Sequence, residues 1–271
     1  MRAPWTSSKV SLAYCVILLL FSLPAIFLTR ERIQPIPKEI IEPLPVPEAV
    51  PDFASIVDVK EKKESFFDYI EPYVDEVNED IIRQRARLIS IREKVGSKQD
   101  LLAADLRYLS TLAEQYELET DDVTNLEFLG VLLRRVDKIP ASLALAQAAN
   151  ESAWGTSRFA QDGNNFFGQW CYSDGCGLIP IRRREGATHE VRSFDSVKDS
   201  VQAYIHNLNT FPSYKMLRRI RQQLRRQDQA VDGFSLADGL ESYSSRGLDY
   251  IDEVQTMIYT NNLLARDNPE L

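Results

Sequence analysis

Residues 141–170 read ASLALAQAANESAWGTSRFAQDGNNFFGQW, an apolar helix pattern that runs into one acid and a polar, glycine-bounded loop. Small and aliphatic residues run from Ala141 to Ala149, which predicts a buried helix. Pro140 stands just before it, where a helix start tolerates proline, and the helix is expected to reach about Trp154. The run meets a single acid, Glu151, then Trp154 and Gly155, then the loop Asn164-Asn165-Phe166-Phe167-Gly168. The last turn of a helix carries partial negative charge, which disfavours a carboxylate. Burial against Trp154 adds a desolvation penalty of the same sign. Both raise the pKa of Glu151, so the group can hold its proton near neutral pH. That is what an acid needs to protonate a leaving glycosidic oxygen. Taken alone, Glu151 also reads as an ordinary capping or surface glutamate.

Working outward, Trp154, Phe167, Trp170 and Tyr172 supply flat apolar faces on which sugar rings stack. Asn164 and Asn165 supply amides suited to hydroxyl and acetamide groups. Core packing for the aromatics and turn bonding for the asparagines are the competing readings. Segments 178–183 and 188–194, separated by Glu185-Gly186, predict a two-stranded hairpin. Asp195 or Ser196 can cap a helix carrying Val197, Val201, Tyr204, Ile205 and Leu208, and 214–227, 236–242 and 250–264 read as further helices. Upstream, apolar residues recur at three and four from Phe66 to Ile91, and Gly96-Ser97 breaks the run. A second stripe covers 101–112, and a third helix, capped by Asp121 or Asp122, carries Val123 to Leu133. The fold class is α+β: mostly helical, with one small hairpin beside the presumed site.

The 271 residues carry a net charge of −8, which argues against a nucleic-acid partner. The imbalance is local: residues 52–130 hold 19 acids and 10 bases, whereas 131–271 hold 17 of each. The part containing Glu151 is therefore neutral, and the acidic excess reads as solvated helix faces. At the N-terminus, Arg2 and Lys9 precede an apolar run of 19 residues, 10–28, long enough to span a bilayer core. Small residues suited to signal cleavage are poorly placed around Leu23-Pro24-Ala25, so residues 1–29 read as an uncleaved signal anchor in preference to a cleaved signal segment; either way the bulk of the chain lies outside the cytoplasm. Six prolines in 34–51 make 30–52 a stalk-like linker. Residues 53–136 then form a helical support region and 137–271 the domain with the chemistry. Cys171 and Cys176, five apart in an exported domain, suggest one disulfide. A zinc site would need two further ligands, and the chain has only His189 and His206, so no metal or other cofactor is expected.

The segment LAQAANESAWGTSRFAQDGNNFFG (145–168) resembles the core motif of the peptidoglycan β-N-acetylglucosaminidases of glycoside hydrolase family 73. The family form has alanine-glutamine-alanine, then glutamate-serine-glycine-tryptophan-glycine, then asparagine-asparagine-leucine-phenylalanine-glycine. Here Ala153 replaces a glycine and Phe166 a leucine. The likeness runs over about 140–258, under half of the chain. It implies a lysozyme-like fold with the site between a helical lobe and a small β lobe, and it places Glu151 on the catalytic glutamate. The segment YSSRGLDY (243–250) resembles a family element in which one tyrosine precedes a short loop and a second enters the last helix. Its loop is one residue longer than usual, and Arg246-Gly247 replaces aspartate-proline. The resemblance implies Tyr243 as the active-site tyrosine, with Tyr250 as the alternative. A second carboxylate for inverting hydrolysis falls on the hairpin, at Glu185 or Glu190, with Glu185 favoured by spacing. Attack by the substrate's own acetamide would need only Glu151 and a tyrosine.

The sequence carries no Gly-x-Ser-x-Gly, no His-Glu-x-x-His and no phosphate loop, and both histidines read as incidental. The basic run Lys215, Arg218, Arg219, Arg221, Arg225 and Arg226 reads as a solvated face or a surface for anionic polymer. The expected function is a periplasmic peptidoglycan hydrolase held at the inner membrane. Its alternatives are a lytic transglycosylase and a non-catalytic wall-binding scaffold. The Gly-Leu-Met-Gln element typical of many such transglycosylases is absent.

Overall fold

A computed structural model describes residues 50–181, 183, 186 and 188–267. The expected anchor, most of the proline-rich stalk, and Glu185 lie outside these residues. Among the described residues no helix is long and apolar enough to cross a membrane.

A short turn at Phe53–Ser55 leads into α1, Val59–Gly96, whose first turn is capped by Asp58 accepting from the Glu61 N–H at 2.8 Å. At 38 residues α1 is about 57 Å long and forms the spine of the fold. It is followed by α2 (Ala103–Gln115) and α3 (Leu126–Arg135). The cap of α3 is Asn125, which accepts from Glu127 and Phe128, and not Asp121 or Asp122 as expected. Asp122 instead closes a local turn on Thr124. Next come α4 (Ala141–Ser152) and α5 (Arg158–Gly163). After the β lobe follow α6 (Val197–Thr210), α7 (Lys215–Arg226), α8 (Gly233–Ala237) and α9 (Leu248–Thr260). Ser196, one of the two expected caps, accepts from the Asp199 N–H at the start of α6.

Among the described residues the β lobe has shorter strands than the sequence predicts and one strand more. Its strands are β1 (Trp170–Cys171), β2 (Gly177–Leu178) and β3 (Glu190–Arg192), in the order β1-β3-β2, all antiparallel. Of the expected hairpin, Leu178 pairs with Val191, and Gly177, just before the expected first strand, pairs with Arg192. The missed strand pairs Trp170 with Val191, and the Cys171–Cys176 disulfide closes the loop between β1 and β2. Pairing across some twenty residues for only two positions leaves no alternating pattern to read.

Helix α4 is the centre of the packing. Every residue from Ala141 to Ala149 is buried, and α1, α8, α9 and the turn at Leu263–Arg266 pack around it. Residues of 53–136 and of 137 onward share one continuous core, from Phe53, Phe66 and Leu129 to Ala144, Tyr204 and Ile258. Asn78 of α1 clamps the chain as it enters α4: it donates to the Ile139 carbonyl at 2.8 Å and accepts from the Ile139 N–H at 3.1 Å. With Asn78 buried, both bonds are made away from competing water.

Candidate active site

The residue pattern predicts that α4 continues to Trp154, but it stops at Ser152. Ala153, Trp154 and Gly155 follow with φ of 52°, 59° and 73°, three left-handed residues in a row. Two of them are not glycine, a conformation that persists only where surrounding structure holds it. Ser152 supplies part of the hold: its hydroxyl donates to the Ala148 carbonyl at 2.6 Å and accepts from the Gly155 N–H at 2.8 Å. Helix α1 supplies the rest. The Trp154 ring meets Phe66 and Phe67 edge-on at 5.8 and 5.4 Å, and Lys63 lies 5.0 Å over it. A Cβ on Gly155 would come within 2.5 Å of the Phe53 ring. The turn swings the chain sharply away and leaves Glu151 at the helix end, half-buried.

The Glu151 carboxyl sits between α9 and the 164–168 loop. Its Oε1 accepts from the Tyr250 hydroxyl at 2.8 Å. Its Oε2 lies beside Gly168, where a Cβ would stand 3.5 Å away, and the Tyr250 bond leaves that oxygen without a hydrogen bond of its own among the described residues. Burial is the largest influence on the group and raises its pKa; Glu253 adds to this, while the Tyr250 hydrogen bond and Arg246 offset part of it, and the net shift is upward. Arg246 is itself paired with Glu253 and lies 5.5 Å over the Tyr250 ring.

The structure brings both candidate tyrosines to this acid in different roles. Tyr250, buried on α9, is the one that touches Glu151. Tyr243 stacks on it at 5.3 Å with the rings 8° from parallel, and donates to the Phe167 carbonyl at 3.2 Å. Phe167 is buried and stacks on Tyr204 at 3.9 Å, so it forms the floor of the site.

The remaining expected contacts separate. Trp170 is 56% exposed on β1, with one side of its ring stacked on His189 at 4.5 Å. Trp154 points into the aromatic cluster of α1 instead. Asn165 is buried: its amide donates to the Gln169 and Arg192 carbonyls, and its oxygen accepts from the Phe167 and Gln169 N–H groups. Both halves are fully used, so it locks the loop and has nothing left for a ligand. Asn164, left-handed at φ 51°, ends α5 and donates to the Phe194 carbonyl. Glu190 is buried and accepts from the N–H groups of Gly175 and Gly177 at 3.2 and 2.8 Å, which ties β3 to the disulfide loop. Glu190, Cys171 and Cys176 lie within metal-binding distance of one another, but the two sulfurs are bonded together. His206 bonds the Gln115 carbonyl at 2.8 Å.

Two residues of the site were not singled out from the sequence. Gln147 donates to Tyr250 at 2.9 Å, and Tyr204 donates to Gln147 at 2.6 Å. The signal was present: Gln147 is the one polar residue between Leu143 and Ala149 and lies four before Glu151, on the same helix face. A buried amide must be bonded to something. A groove of about 980 Å³ also opens between α1, α6 and the β lobe, lined by Gln84, Tyr116, Trp170, Phe194, Lys198 and His206 among others, but Glu151 is not in its wall. Chemistry and not volume marks the acid.

The structure is a mostly helical, lysozyme-like domain with a small β lobe and a desolvated glutamate at the end of its central helix, as the glucosaminidase resemblance implies. The family model for glucosaminidases, described as mannosyl-glycoprotein endo-beta-N-acetylglucosaminidase, matches residues 132–263, and the chain belongs to this family. It is similar to Protein bax of Escherichia coli (strain K12), 34% identical over 216 residues that cover 80% of this chain and 76% of that one. No solved structure matches the chain significantly.

Proposed function

We propose that the chain is a peptidoglycan hydrolase that cleaves β-1,4 bonds after N-acetylglucosamine, with Glu151 as general acid. The observation that carries this reading is the setting of the Glu151 carboxyl: half-buried, with its pKa raised chiefly by desolvation, one oxygen held by Tyr250 and the other open at Gly168. The protonated acid gives its proton to the glycosidic oxygen as the bond to the sugar breaks. The carboxylate left behind is stabilised by the Tyr250 hydroxyl, a charge-assisted bond stronger than the one to the neutral acid. On the far face of the sugar, Glu185 activates water. Glu190, the other hairpin candidate, has both oxygens committed to backbone N–H groups, which favours Glu185. Substrate-assisted attack by the acetamide is the variant in which Glu185 is dispensable. Tyr243 orients the reacting sugar, and Trp170 offers a stacking face.

The protein works in the periplasm, held at the inner membrane by the 10–28 segment. The Cys171–Cys176 disulfide supports an oxidising compartment.

The test is digestion of purified sacculi by the full chain, with mass spectrometry of the products. Wild type releases glycans with reducing N-acetylglucosamine ends, and Glu151→Gln loses at least about two orders of magnitude in rate, the typical worth of a general acid. Anhydro-muramic ends would move the chain to the transglycosylases. Identical wild-type and Glu151→Gln digests would leave a wall-binding scaffold.

A further inference from the structure

Behind Glu151 runs a buried chain of hydrogen bonds, Tyr204–Gln147–Tyr250–Glu151, with steps of 2.6, 2.9 and 2.8 Å. Tyr204, Gln147 and Tyr250 are at most 1% exposed. The direction of the chain follows from its closed end. The Tyr204 hydroxyl is shut off from water by its stack on Phe167 and by α4, and its one proton needs an acceptor. The acceptor at hand is the Gln147 amide oxygen. That choice orients the amide, because an oxygen facing Tyr204 puts the NH2 group at Tyr250. Tyr250 receives that donor and must send its own proton onward, to Glu151 Oε1. Oε1 is thus an acceptor whether or not Glu151 is protonated. The acid proton is left on Oε2, the oxygen beside Gly168.

We infer that Gln147, itself oriented by Tyr204, is the positioning residue that fixes the proton polarity of the Tyr250–Glu151 pair and so places the transferable proton on Oε2. With the amide turned over, its NH2 group would face Tyr204, whose own proton would have no acceptor. Tyr250 would donate back to Gln147. The proton of Glu151 would then sit on Oε1, aimed at a phenol and away from the open side. The inference rests on the reading of Glu151 as the general acid.

The groups that face Glu151 are Tyr250 and Glu253 from α9, Tyr243 and Arg246 from the loop before it, Tyr204 from α6 and Tyr214 from the 212–214 turn. Tyr204→Phe leaves all the others in place and keeps the ring stacked on Phe167, while removing the hydroxyl that sets the amide. Its hydroxyl does not touch Glu151. The measurement is the titration of the Glu151 carboxyl carbon by 13C NMR, assigned with Glu151→Gln, alongside pH profiles of sacculus digestion. In Tyr250→Phe the Glu151 pKa moves up, because the bond that favours the carboxylate is gone. The expected result is that Tyr204→Phe moves it in the same direction. The Tyr204→Phe/Tyr250→Phe double variant should move it no further than Tyr250→Phe alone. kcat should fall by roughly ten- to a hundredfold, the scale of a misaimed catalytic group, with KM unchanged. Gln147→Met, close in volume but with no amide to orient Tyr250, is the second variant and should behave alike. A Glu151 titration and kcat like wild type in folded Tyr204→Phe or Gln147→Met would overturn the inference. So would a Tyr204→Phe shift that persists undiminished on top of Tyr250→Phe. The titration does not depend on turnover, so a chain inactive on sacculi would sink the glycosidase reading while the polarity was still read.

Discussion

Asp137→Asn tests whether the arginine-rich helix α7 is held from within. The sequence presents that helix as a basic surface, yet Arg218 and Arg221 are buried. Arg225 grips Asp137 with two bonds of 2.7 and 2.6 Å, while Arg221 and Arg85 approach the same carboxylate at 3.7 and 3.4 Å. Three guanidinium groups share one carboxylate, and backbone carbonyls supply the remaining acceptors. Arg221 donates to the carbonyls of Arg134, Asp137 and Lys138, in and just past the last turn of α3, where the helix dipole favours cations. Burial lowers the Arg221 pKa to about 10, with Asp137 opposing that and the other arginines adding to it. Removing one partner of a buried ion pair typically costs about 3–5 kcal/mol. Here the carbonyl bonds of Arg221 survive the substitution, and the side chain of Arg225 is about one third exposed, so the lower end, about 3 kcal/mol, applies. For a domain of this size that is a fall in Tm of roughly 6–12 °C at pH 7.

The pH dependence makes the test sharper. Burial alone would raise the pKa of Asp137, but Arg221, Arg225 and Arg85 outweigh it and hold it below the ordinary carboxylate range. A group whose folded pKa is depressed stabilises the fold above its unfolded pKa and loses that contribution as pH falls through the folded one. The gap between wild type and Asp137→Asn should therefore be constant from pH 7 down to about pH 4 and close below it. Thermal unfolding followed by circular dichroism from pH 7 to pH 3 measures this. A gap under about 2 °C at pH 7, or one that widens in acid, would show that the carboxylate does not hold the arginines in place.

Two further outcomes follow from the glutamate turn. Gly155→Ala must place a side chain at φ 73° and against the Phe53 ring, for a loss of roughly 2–4 kcal/mol in denaturant titrations; in a Phe53→Ala background the steric part should vanish, and equal losses in both backgrounds would be the wrong result. Glu151→Gln should be more stable than wild type at pH 8. The folded pKa of Glu151 is raised, mainly by burial, so its contribution is fully present below about pH 4.3 and is lost as pH rises through the folded value. The advantage of the variant should therefore shrink from pH 8 to pH 4, and a gap independent of pH would contradict the desolvated acid.

What could be read from the sequence was what local chemistry decides. Ser196 caps α6 because the hydroxyl and the N–H it serves are three residues apart. The buried run 141–149 identifies α4 because its composition leaves no polar face. Other features depend on partners far away in the chain. Leu217, Ile220 and Leu224 stand at helical spacing in α7, and Leu217 is fully buried, but nothing near 221 announces that Asp137 and three carbonyls wait for that arginine. Asn165 carries the same polar groups whether it binds a sugar or a loop; the Arg192 carbonyl, 27 residues on, decides it. Tyr243 and Tyr250 both stand out in the sequence as candidates, but which of them touches Glu151 depends on how α9 docks against α4.

The aromatic cluster explains why the helices before the family match belong with the site. The match begins at residue 132, yet the strained turn after Glu151 has its walls elsewhere: Phe53 against Gly155, and Phe66 and Phe67 against Trp154. Phe166, in the loop that carries Gly168, packs on Phe66 and Tyr69 at 6.2 and 6.3 Å. Both oxygens of Glu151 are thus set from two sides. Oε1 is held from within by Tyr250, and Oε2 is kept open by a loop that leans on α1. The candidate site residues Gln147, Glu151 and Tyr250 lie within the family match, while the packing that fixes their turn and loop comes from residues 53–69.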